Sequence, residues 1–169
     1  MFQRQPIDME SYIRRAQTGP CFICEIVRRN PDPQYRNHII YEDDTAIVFL
    51  NKYPVLYGYT LVAPRAHREH VTGDFTVDEY LAFQRRVYRV AEALRQEVPT
   101  ERIYILSLGS QQGNRHVHWH IAPLPPGVPY REQQLEALGI EKGVLKISDE
   151  EMTSLAIRIR QRMERLGGA

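Results

Sequence analysis

The stretch His116-Val117-His118-Trp119-His120-Ile121-Ala122 constrains this chain more than any other, because half of its six histidines fall there at alternate positions. Alternation is the period of a β-strand, so the spacing predicts a strand over residues 116–122. The three imidazoles would share one face, and Val117, Trp119 and Ile121 the other. A helix would scatter them, since only residues three or four apart are neighbours there. Imidazole is the side chain whose ordinary pKa lies near neutrality, and it serves as base, nucleophile or metal ligand. The plainer alternative is a polar strand face turned to solvent.

The remaining sequence predicts one globular domain with a proper core, given 169 residues at 43% apolar content. Lys and Arg (22) nearly balance Asp and Glu (21), so bulk charge argues against nucleic acid and membrane surfaces as partners. A small anionic ligand needs only a local site. No apolar run reaches membrane-spanning length, and the polar N-terminus lacks a signal-peptide core. Cys21 and Cys24 are the only cysteines, which points to a cytoplasmic protein without a disulfide framework.

Strand signals fall at 38–41 and 46–50, joined by a turn at Glu42-Asp43-Asp44, then at 59–63 and 103–108. Residues 25–29 form a short helical candidate. The clearest helix is 76–98, where Thr76 and Glu79 form a capping box. Tyr80, Phe83, Val87, Val90, Ala91 and Leu94 form its apolar stripe, a core face. Beyond the Pro123-Leu124-Pro125-Pro126-Gly127 break, a short amphipathic segment spans 131–138. A second capping box, Ser148 with Glu151, opens a helix to about Leu166. The pattern is that of an α+β domain built on an antiparallel sheet. We divide it into a catalytic unit, 1–130, and a C-terminal helical extension, 131–169, packed on the same domain.

Cys21-Phe22-Ile23-Cys24 is a second constellation. Alone it fits half a zinc site, a redox pair, or two small buried residues. A redox pair belongs after a strand in a βαβ unit, and no such context exists here. Two thiolates make half of a four-ligand structural site, so two further ligands are required.

The histidine strand resembles the His-φ-His-φ-His-φ-φ signature of the histidine triad (HIT) superfamily of nucleotide hydrolases and transferases. Ile39-Ile40-Tyr41-Glu42-Asp43-Asp44, Leu50-Asn51-Lys52-Tyr53-Pro54 and Gly58-Tyr59-Thr60-Leu61-Val62-Ala63-Pro64-Arg65-Ala66-His67 resemble successive blocks of that family, over roughly residues 20–125. The resemblance implies that His118 is the nucleophile toward the α-phosphorus of a nucleotide, forming a covalent nucleotidyl-imidazole. It implies that His120 orients His118 or touches the phosphate, that Gln112 holds a phosphate or leaving-group oxygen, and that Asn51 meets the ribose hydroxyls. Gln112 also reads as an ordinary loop residue, and Asn51 as a turn former. Members with an N-terminal CxxC complete a structural zinc site with two histidines, which implies Cys21, Cys24, His67 and His116, with His70 competing for the third place. A homodimer is implied as well, which the apolar face of the 76–98 helix would support.

The branch acting on dinucleoside polyphosphates is the closer resemblance, through Asn51 and the Lys-x-Pro that follows. An adenosine phosphoramidase is the alternative, and a zinc-stapled nucleotide-binding module without turnover a third reading. A catalytic metal held by the three histidines is a further alternative, but it would strand the two cysteines. The chain departs from the family at Gly58-Tyr59, where Gly-His is usual, and in the loop 109–115. There Ser107, Ser110 or Arg115 compete with Gln112 for the leaving group. His38 has no motif context.

Overall fold

The computed structural model describes residues 2–108 and 115–167. Five strands, β2 (Ile39–Glu42), β3 (Ala46–Leu50), β4 (Thr60–Pro64), β5 (Arg102–Leu106) and β6 (Trp119–Leu124), form one antiparallel sheet ordered β2-β3-β4-β6-β5. Helices α2 (Phe22–Val27), α3 (Val77–Glu97) and α4 (Asp149–Arg165) pack on it. An α+β domain on an antiparallel sheet is thus observed as expected.

β3 reads Ala-Ile-Val-Phe-Leu and is buried throughout, because both faces of the sheet are covered. Ala46, Val48 and Leu50 join Val62, Trp119 and Ile121 in a core shared with α3 and α4. Ile47 and Phe49 join Leu61, Ala63 and Ala122 in a second core under α2. The Thr76–Glu79 capping box forms at the start of α3, which buries Phe83, Val87, Val90, Ala91 and Leu94. That stripe is consumed by the protein's own core. The apolar residues α3 leaves exposed are Val77, Leu81 and Tyr88, so the face invoked for a dimer is not the one available.

The predicted strand over 116–122 is corrected: β6 begins only at Trp119. Val62 pairs with Trp119, and continuing that register would set Val117 against Pro64, which has no N–H and ends β4. The Val117 N–H instead donates to the Arg68 carbonyl at 2.7 Å. Alternation survives without the ladder. Val117, Trp119 and Ile121 enter the α3 core, leaving the histidines on the α2 side.

Other departures lie near the termini. Helix α1 (Met9–Thr18), capped by Asp8 through Ser11, was not anticipated, and it buries no residue fully. Residues 131–138 form short 3-10 turns, not an amphipathic helix. β7 (Val144–Leu145) pairs with β1 (Arg4–Gln5), tying the two ends of the chain together. Gly143 precedes that pairing at φ +83°, and a Cβ there would sit 2.6 Å from the Gln5 carbonyl oxygen, so only glycine fits. α4 then buries Met152, Leu155, Ala156 and Ile159 against α3 and the β2 edge. His38, which lacked a motif, braces this contact through Asp149 (3.2 Å) and Thr153 (3.3 Å).

Candidate active site and metal centre

Cys21 is the N-cap of α2 and Cys24 lies one turn on, so a single helical turn presents both thiols to one side. His67 arrives from the loop after β4, and His116 from the segment before β6. The four ligand atoms lie within 4.8 Å of one another. Cys21 Sγ is 3.5 Å from His116 Nδ1, Cys24 Sγ is 3.3 Å from His67 Nδ1, and Cys24 Sγ is 3.6 Å from His116 Nδ1. A tetrahedral ion about 2.3 Å from sulfur and about 2.1 Å from nitrogen requires sulfur–nitrogen edges of about 3.6 Å. The three sulfur–nitrogen edges thus match a tetrahedral metal, and the donor set suits one.

Two further contacts set the tautomers. His116 Nε2 lies 2.7 Å from the Pro64 carbonyl, which can only accept, so Nε2 carries the proton and Nδ1 keeps its lone pair. His67 Nε2 faces Glu69 at 3.2 Å with the same consequence. Burial pushes the Cys21 thiol up to about 11, so it is neutral at pH 7 and would ionise beside a bound cation. His70, the competitor, pairs with Asp74 in solvent, outside this group.

His118 stands beside the centre, nearly buried, its Nδ1–H donating to the His116 carbonyl at 2.7 Å. That bond leaves Nε2 unprotonated and directed away from its own backbone. Burial holds His118 below its ordinary value and His120 at about 3, so both are neutral at pH 7. Their ring centroids are 4.6 Å apart. The Tyr59 hydroxyl reaches His120 Nδ1, and the Phe22 ring meets His118 edge to face at 6.3 Å. Phe22 was not anticipated as a site residue; its place inside the CxxC turn was the available signal.

The other expected residues fare differently. Gln112 and Ser110 lie outside the described residues. The Ser107 hydroxyl donates to the His118 carbonyl at 2.8 Å, so it braces the backbone of His118. Asn51 ends β3 on the α2 side, and its Oδ1 accepts the Tyr53 N–H at 2.9 Å, closing a local turn. Arg115 lines an open cleft beside Phe22 and His67. No helix among the described residues is long and apolar enough to cross a membrane.

Comparison with known proteins agrees with this geometry. A family model described as the HIT domain matches residues 32–126. An uncharacterized HIT-like protein of Saccharolobus solfataricus is 29% identical over 127 residues, covering 69% of this chain and 88% of its own. A second, from Borreliella burgdorferi, is 30% identical over 112 residues, covering 61% and 74%. Among solved structures, a hypothetical histidine triad nucleotide-binding protein from Sulfolobus tokodaii superposes at a TM-score of 0.67 and 27% identity, over 86% of this chain and 93% of that one. A Zn-bound histidine triad family protein from Mycobacterium smegmatis gives 0.65 at 23% identity, over 86% and 94%, a likeness of fold. The family match extends over more than half of the sequence and includes all three clustered histidines, and the chain belongs to the HIT domain family.

Proposed function

We propose that this protein is a nucleotide hydrolase or transferase that cleaves nucleotide conjugates at the α-phosphate, with dinucleoside polyphosphates as the substrate class. The observation that carries the reading is the His118 Nδ1 bond to the His116 carbonyl, which leaves Nε2 of a buried, neutral imidazole as the nucleophilic atom. Nε2 attacks the α-phosphorus, a P–N bond forms, and the P–O bond to the leaving phosphate breaks. Water then attacks the same phosphorus, the P–N bond breaks, and nucleoside monophosphate departs with His118 neutral again. His120, 4.6 Å away ring to ring, contacts the phosphoryl oxygens, and Asn51 offers its Nδ2 to the ribose. Gln112 is assigned to the leaving-group oxygen.

Zinc is the ion we assign to Cys21, Cys24, His67 and His116, because two thiolates and two imidazoles at tetrahedral spacing suit it. Four protein ligands leave no open position, so its role is structural: it fastens α2 to the segment carrying His118. The related fold of the Zn-bound protein from Mycobacterium smegmatis supports this assignment. Residues 131–169 act as a buttress on the 1–130 catalytic unit. A homodimer is supported by exposed Leu81, Tyr88, Ile105 and Leu108 on α3 and around β5. Two cysteines without a disulfide agree with a cytoplasmic setting.

The test compares wild type with His118→Ala on diadenosine polyphosphates and on an adenosine phosphoramidate. Hydrolysis should depend on His118, and acid quench should trap a nucleotidyl adduct on wild type alone. Equal activity in both proteins would refute the nucleophile.

A further inference from the structure

Helix α1 precedes the segment matched by the family, yet it forms one wall of a cleft beside His67 and Phe22, about 550 Å³ in volume. That volume suits a ligand larger than a phosphate ion. The cleft carries two kinds of side chain. Tyr12, Phe22 and Tyr53 supply aromatic surface, with Tyr12 and Tyr53 edge to face at 6.0 Å. Arg14, Arg15 and Arg115 also line it, from two distant parts of the chain.

The absence of a close ion pair on these arginines is the informative point. Nearby Arg65 and Arg68 are paired with Glu42 and Glu79. Arg14 and Arg15 feel the Asp8 carboxylate at the start of α1, but among the described residues neither they nor Arg115 form an ion pair within 4 Å. The acidic liner of the cleft, Glu69, faces His67. Three arginines free of close ion pairs, beside aromatic rings, form a surface for an anion joined to a flat ring. Guanidinium forks bind phosphate oxygens bidentately, and nucleobases stack on aromatic faces. The cleft also adjoins the nucleophile, since Phe22 lines it and touches the His118 ring.

We infer that α1, with Arg14 and Arg15, together with Arg115 builds a subsite for the departing half of a dinucleoside polyphosphate, its distal phosphates on the arginines and its base among Tyr12 and Tyr53. The inference rests on the proposed function and adds what that reading lacks, a reason for this chain to prefer a long polyphosphate leaving group over a small amine.

Two measurements test it. In the first, diadenosine tetraphosphate and adenosine phosphoramidate are compared, since they present the same adenylyl group with a large and a small leaving group. The Arg14→Ala/Arg15→Ala variant, and separately Arg115→Ala, should lower kcat/KM for the tetraphosphate by about tenfold or more. The phosphoramidate should change by less than about twofold. Lysine at 14 and 15 should recover part of the loss, and Arg85→Ala on the exposed side of α3 should change neither substrate. In the second, calorimetric binding of inorganic tripolyphosphate should weaken about tenfold in the alanine variants and weaken with salt in wild type.

His118-dependent cleavage of the tetraphosphate with an unchanged substrate ratio in the arginine variants would overturn the subsite and leave the proposed function standing. Arginine-dependent tripolyphosphate binding without cleavage of either substrate would retain the anion site and overturn the proposed function. Tripolyphosphate binding indifferent to all three arginines overturns the subsite whatever the activity.

Discussion

The Tyr59 hydroxyl lies 3.2 Å from Nδ1 of His120, with the two rings edge to face at 5.7 Å. Burial pushes the Tyr59 phenol up to about 12, so it keeps its proton and can donate it to that nitrogen. The pair thus fills the place where a histidine would follow Gly58 in the family pattern. A phenol on Nδ1 makes His120 the Nε2–H tautomer, which in the proposed reaction would offer a donor to the phosphoryl oxygens. Tyr59→Phe should lower kcat about fivefold to tenfold with KM nearly unchanged, as expected for one neutral hydrogen bond. Tyr59→His should restore most of the rate. Matching kinetics in Tyr59→Phe and wild type would remove Tyr59 from the positioning of His120.

Metal content tests the four-ligand centre directly. Cys24→Ser and His67→Ala should each reduce zinc from about one per chain toward zero, while His70→Ala and His118→Ala should keep it. An ion on these four residues would join α2 to the segment before β6, so its loss should cost of order 3 kcal/mol, or about 10 °C in Tm. Emission spectrometry of the purified variants decides the matter. Zinc retained in Cys24→Ser, or lost only in His118→Ala, would move the centre elsewhere.

The residues of the candidate site were legible in the sequence because each belongs to a short pattern with a fixed reach. The CxxC turn and the alternating histidines specify directions of side chains, and His67 over His70 followed from its place after the Leu61-Val62-Ala63-Pro64 block. Strand limits were less legible. Whether residues 116–118 join a ladder depends on their partner, and Pro64 removes it, which periodicity in 116–122 alone does not reveal. The pairing of Arg4–Gln5 with Val144–Leu145 joins segments about 140 residues apart, each too short for a period. Helix α1 has one weak signal, Asp8 with Tyr12, Ile13 and Ala16, and no fully buried side chain to strengthen it. Its position over the cleft is a tertiary fact.

Acid should destabilise the fold through the buried histidines. Desolvation first, and the neighbouring His118 second, push His120 down to about 3, against an ordinary 6.5. The unfolded chain therefore takes up the proton first. The contribution of His120 is complete above pH 6.5 and is lost as pH falls toward 3; at pH 5 the loss is of order 2 kcal/mol. His120→Asn should flatten the fall in urea-unfolding stability between pH 7 and pH 5 without abolishing it, since His118 is held low by the same burial. An unaltered slope would show that His120 gains its proton without opening the site.

The C-terminal helix supplies the last prediction. Leu155 and Ile159 on α4 are fully buried and belong to the same core as Val90, Leu94 and Trp119. The Arg158 guanidinium ties that face to Glu97 of α3 at 2.8 Å and to the Tyr57 hydroxyl at 2.9 Å. An appended helix would melt separately; one that completes a shared core should not. Ile159→Ala leaves a cavity that close-packed neighbours cannot fill, and should cost about 2–5 kcal/mol. Because α4 and the sheet share that core, the loss should appear as one shifted transition followed alike by Trp119 fluorescence and by circular dichroism. Two separated transitions, with Trp119 reporting only the later one, would make residues 131–169 an independent unit instead of a buttress for the histidine-bearing strand.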